Sequence, residues 1–400
     1  MRRINLQKAK TQVARADTIR NINRQIVLNY VREREPISRA EIARETELQR
    51  STVSSIINSL VKDGFVEEVG AGESRGGRKP TMLKLRKDEP VAVGVDITPT
   101  VVNIATANLA GQIIRLETFP TSPDRENTFQ EIVKHISFIK TDLSNHDVKI
   151  GISVPGVVDQ ASGLVSYIPF FHWKNWHLKE QIEEATGLSV MIDNDANAVA
   201  LADLWFGMPE VHQIKNFASL LVAEGIGTGI IFDGQIYRGN KGAAGEFGHM
   251  IIGGTEGEQN NAVCSCGNTR CWESFASDRA TVRRFNVLNE NKNSVTDINQ
   301  IFELARHGDA SALQVINETA RYLGLGIVNL VVGLSPEAII VSGKITLVWS
   351  LIEKVILDTV AENIKQELPS TMIKASILGE SPTLRGAICL SLMSKFASRN

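Results

Sequence analysis

Long apolar runs are missing from this chain of 400 residues; none approaches the roughly 18–20 residues a membrane span needs, so no membrane-crossing helix is expected. No apolar stretch follows Arg2 and Arg3 either, and no secretory signal is expected. Cysteine is scarce. There are four, three of them clustered, which suits a metal site in a reducing compartment better than a disulfide framework. A cytoplasmic protein without a membrane partner is the expectation. Net charge is nearly absent at −2, but its distribution is uneven. Residues 1–87 carry 19 Lys and Arg against 10 Asp and Glu, and the remainder carries 24 against 35. A basic head on an acidic body is the footprint of a nucleic-acid module joined to something else. The length suggests two to three domains.

The head has a readable helical grammar. Ile19, Ile22, Ile26, Val27, Tyr30 and Val31 recur at helical spacing from Thr18 to about Arg34, before Pro36. Ser38 and Glu41 form a capping box for a short second helix through Glu45. Val53, Ile56, Ile57, Leu60 and Val61 then line one face of a third helix ending at Gly64. Arg50, Ser51, Thr52, Ser55 and Asn58 lie on its outer face, while Gln49 is a poor cap at its start. This is a helix-turn-helix, whose last helix enters a DNA major groove. Two short strands, Phe65–Val69 and Thr81–Leu85, flank a tip holding Arg75, Arg78 and Lys79 among glycines. The tip is a wing suited to a narrow minor groove, or else a solvated basic hairpin.

The body reads as two related α/β lobes. Val91–Asp96 and Val101–Ala107 open a meander that Phe217–Val222 and Gly229–Phe232 repeat, with a short echo between Ala110-Gly-Gln-Ile113 and Asp233-Gly-Gln-Ile236. Residues 88–205 form the first lobe and 206–400 the second, the C-terminal helix being free to return to the first. Between the meanders, Pro155-Gly156 and Asp193-Asn194-Asp195-Ala-Asn197 end apolar strands, where such sheets present ligand-binding groups. Asn194 and Asp195 suit a vicinal diol, because each sugar hydroxyl donates and accepts; Asx-rich turns also serve as plain caps. Phe170, Phe171, His172, Trp173 and Trp176 either wall a pocket or pack as core.

Three cysteines and a histidine fall within 23 positions: Glu246-Phe-Gly-His249, then Cys264-Ser-Cys266 and Cys271-Trp-Glu273. Three thiolates and an imidazole are a structural zinc set. Such an ion would hold Glu246 and Glu273 near each other.

With these motifs assembled, the chain resembles the ROK family (repressors, open reading frames and sugar kinases), in the branch that holds the xylose and N-acetylglucosamine repressors. The resemblance implies a winged helix-turn-helix head, residues 1–87, on an actin-like, ribonuclease H-like two-lobed body of sugar-kinase type. It places sugar contacts at Gly156, Asn194, Asp195, Glu246, His249 and Glu273, with the aromatic region approaching the sugar. One structural Zn2+ per chain maps to His249, Cys264, Cys266 and Cys271; Arg270 stands where family zinc runs usually have glycine.

Family kinases use the residue matching Asp195 as general base. Phosphoryl transfer also needs a phosphate cradle, and Asp96-Ile-Thr98-Pro99-Thr100 departs from the kinase pattern Asp-x-Gly-Gly-Thr. Pro99 has no N–H, and Thr98 lacks glycine's access to positive φ. Gly225-Ile-Gly227-Thr-Gly229 keeps its glycines but follows Glu224; it is a second cradle or just a tight strand turn. The expectation is a sugar-responsive regulator, most simply a repressor, with operator DNA, a monosaccharide or sugar-phosphate effector, and a homodimer or tetramer. The alternatives are an ATP-dependent sugar kinase with a DNA-binding head, and a DNA-binding protein whose body only dimerises.

Overall fold

Two compact units account for the chain: one built on the residues up to Glu89, with Asn108–Ala110 and the residues from Leu392 on, and one of Pro90–Ala107 and Gly111–Ser391. The structure is a computed structural model and describes residues 16–72, 79–140, 143, 148–211, 214–252, 264–290, 294–364 and 367–396.

The smaller unit runs α1 (Ala16–Arg34), β1 (Ile37–Ser38), α2 (Arg39–Thr46), α3 (Arg50–Lys62), β2 (Val66–Ala71) and β3 (Thr81–Leu85). Ser38 caps α2 through the expected reciprocal box: its hydroxyl accepts from the Glu41 N–H, and the Glu41 carboxylate accepts from the Ser38 N–H. Gln49 gives α3 no side-chain cap. Val27, Leu28, Val31, Ile42, Val53, Ile56, Ile57 and Leu60 form the core under a three-stranded sheet ordered β1-β3-β2. The side chains of Ile19 and Ile22 lie outside the described set. Val61 corrects the expected apolar face: it is 38% exposed, one step round the helix from the stripe that ends at Leu60. Arg24 ties α1 to α3 by donating to Ser59 Oγ at 3.1 Å and Asp63 Oδ2 at 2.8 Å.

In the larger unit the first lobe contains β4 (Ala92–Ile97), β5 (Val101–Ala107), β6 (Ile113–Pro120), α4 (Arg125–Lys140), β7 (Lys149–Val154), β8 (Val157–Asp159), β9 (Leu164–Ile168), β10 (Trp173–Trp176), α5 (Leu178–Thr186), β11 (Val190–Asn194) and α6 (Asp195–Phe206). The second contains β12 (Phe217–Val222), β13 (Ile226–Phe232), β14 (Gln235–Ile236), α7 (Glu273–Ala276), α8 (Asp278–Leu288), α9 (Ile298–Arg306), α10 (Ala310–Leu334), β15 (Ala338–Ser342), α11 (Trp349–Asn363), β16 (Met372–Ala375) and α12 (Pro382–Phe396). The sheets are ordered β11-β7-β4-β5-β6 and β14-β13-β12-β15-β16. Read from opposite ends they are one plan, an antiparallel meander continued by two parallel strands. The short echo marks equivalent places: Gly111 (φ 75°) and Gly234 (φ 72°) each make the left-handed turn into the third strand of a meander.

Two helices lie close against these sheets because glycine removes the intervening Cβ. A Cβ on Gly151 would sit 1.9 Å from the Ala387 carbonyl oxygen of α12, and one on Gly94 2.8 Å from Ile388 Cγ1. A Cβ on Gly229 would sit 2.3 Å from the Ala196 carbonyl oxygen of α6. α12 thus packs on the first lobe, where Thr383 Oγ1 donates to Asp96 Oδ2 at 2.8 Å. Gly151→Ala has no side-chain rotamer to relieve it, since the clash is with backbone. It should lower the urea midpoint of the body's unfolding transition by the equivalent of about 3 kcal/mol at unchanged m-value; an unchanged midpoint would show that α12 yields freely.

Candidate functional site

A cavity of about 200 Å³ lies between the lobes, and all six residues assigned to sugar line it: Gly156, Asn194, Asp195, Glu246, His249 and Glu273. Asn194 closes β11 and caps α6, its Oδ1 accepting from the Ala196 and Asn197 N–H groups at 2.9 and 3.2 Å. Its Nδ2 donates to the Gly156 carbonyl oxygen at 2.9 Å. The amide oxygen is therefore occupied by the cap, one of the two roles the sequence left open, and an amide N–H remains to offer. Gly156 (φ 108°) has no room for a Cβ, which would stand 2.1 Å from the Tyr167 carbonyl oxygen. Glu246 follows Gly245 into a 3₁₀ turn that ends at His249. Burial raises the Glu246 pKa from its ordinary value; His249 opposes the rise and Glu273 adds to it.

The aromatic run divides. Trp173 and Trp176 are core, whereas Phe170 lines the cavity beside Tyr167, a residue the sequence reading passed over. Sequence held no signal for it: Tyr167 reaches the cavity because β9 pairs it with Val157, next to Gly156.

At the cavity's other edge, His249, Cys264, Cys266 and Cys271 bring their donor atoms within 4.8 Å of one another. Cys266 Sγ lies 3.6 Å from Cys271 Sγ, and Cys264 Sγ 3.3 Å from His249 Nδ1. Metal–sulfur bonds of about 2.3 Å in a tetrahedron put sulfurs roughly 3.8 Å apart, so these four donors can hold a metal ion. Burial and the neighbouring thiols raise the Cys271 pKa, a penalty that a cation between the sulfurs would reverse. His249 directs Nδ1 toward the sulfurs and leaves Nε2 facing Glu246 Oε2 at 3.5 Å. Arg270 sits in the left-handed region at φ 69°, the conformation for which glycine is better suited. Glu273 Oε1 accepts from Ser265 Oγ at 3.0 Å. The buried Trp272 anchors the loop by donating to the Tyr322 carbonyl oxygen at 2.9 Å, over Gly326, whose Cβ would lie 1.9 Å from the indole.

Beyond Asp195 a second cavity of about 200 Å³ is lined by Asp96, Thr98, Pro99, Glu224, Asp278 and Lys344 among others. The turn read as a failed phosphate cradle is closed on itself. The N–H groups of Thr98, Thr100 and Val101 all point to the turn's own atoms, and Pro99 has none. The glycines at 225, 227 and 229 have packing work instead. Gly227 and Gly229 lie within β13 beneath Ala196, and a Cβ on Gly225 would meet Glu273 Oε2 at 2.7 Å. Burial pushes Asp195 up to about 7, with Asp96 and Glu246 adding to the rise and the Ala196 N–H opposing it. It likewise pushes Asp96 to about 6 and Asp278 to about 7, each with a further push from Glu224.

On α3, Arg50, Ser51, Ser55 and Asn58 are exposed and Thr52 is half-buried; Lys79 is exposed beside the wing. Arg75 and Arg78 lie outside the described residues.

The ROK family model matches residues 92–393, and the MarR family model matches residues 26–76. The chain is 32% identical over 385 residues to the xylose repressor of Caldicellulosiruptor bescii, covering 90% of this chain and 94% of that protein. It superposes with TM-score 0.77 and 26% identity on a ROK family transcriptional regulator homologous to the E. coli MLC protein, covering 94% of this chain and 99% of the other. A ROK family glucokinase from Streptomyces griseus, solved with glucose and AMPPNP, matches with TM-score 0.67 and 28% identity over 76% of this chain and 99% of its own.

The raised carboxylates have a measurable signature. A carboxyl whose folded pKa lies above its unfolded value contributes stability below the unfolded value, near 4, and loses it as pH rises through the folded one. The body should therefore melt lower at pH 8 than at pH 5.5. Asp96→Asn should flatten that difference by an amount on the order of 1 kcal/mol, the larger part of the Asp96 contribution being lost already between pH 4 and 5.5. Glu117, lowered by its hydrogen bond to His135, acts only below this window. Equal pH slopes in wild type and variant, followed by calorimetry, would remove Asp96 from the account.

Proposed function

The chain belongs to the ROK family, and on that footing we propose that it is a sugar-responsive transcriptional repressor that binds operator DNA through α3 and the β2–β3 wing. The observation that carries this reading is the contrast between the two halves of the inter-lobe cleft. The sugar half presents Asn194, Asp195, Glu246, His249 and Glu273. The half where a kinase would seat phosphates presents, among the described residues, Asp96, Glu224 and Asp278 against a single lysine, Lys344, and a turn with no N–H to offer. Asp195, near 7, suits a general base, but a base without a phosphate seat does not transfer phosphate.

The effector is a neutral monosaccharide. Among the described residues no Lys or Arg lines the sugar cavity, and three carboxylates do. Carboxylates accept from hydroxyls, whereas a phosphate ester brought among them is repelled. The ion held by His249, Cys264, Cys266 and Cys271 is zinc, one per chain, and its chemistry is structural: it closes the loop that carries Glu273 and fixes His249 so that Nε2 faces the ligand. Sugar release of DNA then needs only differential affinity. A hundredfold preference for the DNA-incompetent state is worth ~2.7 kcal/mol. A homodimer or tetramer presents paired winged helices to two half-sites.

Calorimetric titration with pentoses, hexoses and their phosphates tests the pocket. One neutral sugar should bind and raise the melting temperature, its phosphate should bind at least tenfold more weakly, and Glu273→Gln should weaken the sugar about a hundredfold while leaving operator binding intact. A coupled ATP assay showing turnover would replace the sensor with a kinase. Cys266→Ala should lower bound zinc from one per chain toward none by elemental analysis. On the DNA side, Arg50→Ala and Arg78→Ala should each lower the salt slope of operator binding by about one, and an unchanged slope would take that residue out of the interface.

A further inference from the structure

The segment between β14 and Glu246 leaves the second lobe, touches the first, and comes back. Arg238 donates through Nε to Asp193 Oδ2 at 2.8 Å, with a terminal guanidinium nitrogen at 2.7 Å from the same oxygen. Asp193 is fully buried at the end of β11, and its other oxygen accepts from the Asn194 N–H at 2.9 Å and Asn197 Nδ2 at 3.1 Å. After Arg238 the chain leans on β8: a Cβ on Gly242 would stand 2.0 Å from the Val158 carbonyl oxygen. The Ala244 N–H then donates back to the Arg238 carbonyl oxygen at 3.0 Å. Gly245 re-enters the second lobe, where a Cβ would stand 2.0 Å from the Thr228 carbonyl oxygen, and the next residue is Glu246.

We infer that Arg238 is a positioning residue of the effector site, a clasp that sets Asn194 and Asp195 of one lobe against Glu246 of the other. The inference rests on the sugar reading of the cavity. Arg238 itself is not among the cavity's lining residues, so it acts through Asp193 on one side and through the Arg238–Gly245 strap on the other. Beside the β7 pairing and the Gly156 contact, the polar groups that fix Asn194 are the Asp193 carboxylate, which takes its N–H, and the α6 cap. A buried carboxylate that loses its cation must find another partner or take up a proton. Either change moves the two residues that follow it. A guanidinium with two donors on one oxygen also fixes direction, which the single ammonium of lysine does not.

The test uses full-length protein with Arg238→Gln, Arg238→Lys, Asp193→Asn and the Asp193→Asn/Arg238→Gln pair. Each is titrated with the neutral sugar that binds wild type, well below its melting temperature. The clasp predicts a loss of sugar affinity within the 5–150-fold range of coupled sites for Arg238→Gln, partial recovery in Arg238→Lys, and a double variant much less impaired than the two single losses multiplied. Operator binding without sugar and zinc content should hold. A salt bridge that only stabilises the fold would lower melting temperature and leave affinity unmoved, and that result overturns the inference. Hydrogen exchange on ligand-free protein separates this from failure of the sugar reading. If no sugar binds wild type, Arg238→Lys must still speed exchange at both Asn194–Asn197 and Gly245–His249; acceleration confined to the neighbours of residue 238 overturns the clasp.

Discussion

The close seating of α6 on β13 is the constraint from which the site follows. Ala196 can lie over the second lobe's sheet only because positions 227 and 229 carry no Cβ. With that contact made, the helix that begins at Asp195 belongs to both lobes: its N-terminus continues β11 of the first, and its body rests on the sheet of the second. The N-terminal end of a helix is electropositive and rich in unpaired N–H groups. Asn194 uses two of those N–H groups for its cap, and Asp195 stands beside them in the cleft. α12 repeats the device on the first lobe through Gly94 and Gly151, and meets α6 at Gly386, where a Cβ would fall 2.6 Å from the Ala198 carbonyl carbon. Two helices and five glycines thus hold the cleft's floor.

Burial then sets the chemistry. Asp96, Asp195 and Asp278 are all raised toward neutrality by desolvation, and each is near another carboxylate. A kinase would hold such groups with a metal–nucleotide complex and with backbone N–H groups directed at phosphate. Here the turn at Thr98 directs its N–H groups at itself, and its carbonyl groups at 98 and 100 accept from Thr121, so none of those N–H groups is directed at the cavity. The same carboxylates suit uncharged hydroxyl groups, which lose less on entering a low-dielectric cleft than a dianion does. One half of the cleft keeps polar donors and acceptors suited to hydroxyl groups; the other offers a phosphate no backbone N–H from the turn at Thr98.

Much of this was legible in sequence because it was local. The capping box at Ser38–Glu41, the polar face of α3 and the spacing of the cysteines each depend on residues within one turn or loop. The paired meanders were legible too, and the brief Gly-Gln-Ile echo marked two turns that need positive φ at the same place in each lobe. What stayed open, or failed, depended on the partner across the fold. Gly225, Gly227 and Gly229 look like a phosphate loop because sequence shows missing side chains without showing what fills the space. Asn194 read as either a ligand or a cap because a cap and a contact use the same oxygen. Val61 and Leu60 are neighbours in an apolar stripe, and only packing decides which one stays wet. Trp173 and Phe170 differ in role because β10 turns one inward while the 3₁₀ turn before it leaves the other at the cavity.

The cysteine loop links these levels. Cys271, Trp272 and Glu273 are consecutive and face three tasks: metal, core and cavity. Trp272 is buried over Gly326 and fixes where the chain enters α7, so its two neighbours have little freedom in direction. Cys271 must then find its metal partners in the loop that returns from Cys264, and Glu273 must meet the cavity beside Ser265. Removing the metal would free Cys264 and Cys266 but leave Trp272 anchored, so the loop would loosen at the end that carries Ser265 and His249 while Glu273 stayed in place. A metal held there would act on the cavity through orientation, by way of His249, which lines both. Such an ion would determine how well His249 and Ser265 hold their positions, and the tryptophan determines that there is a position to hold.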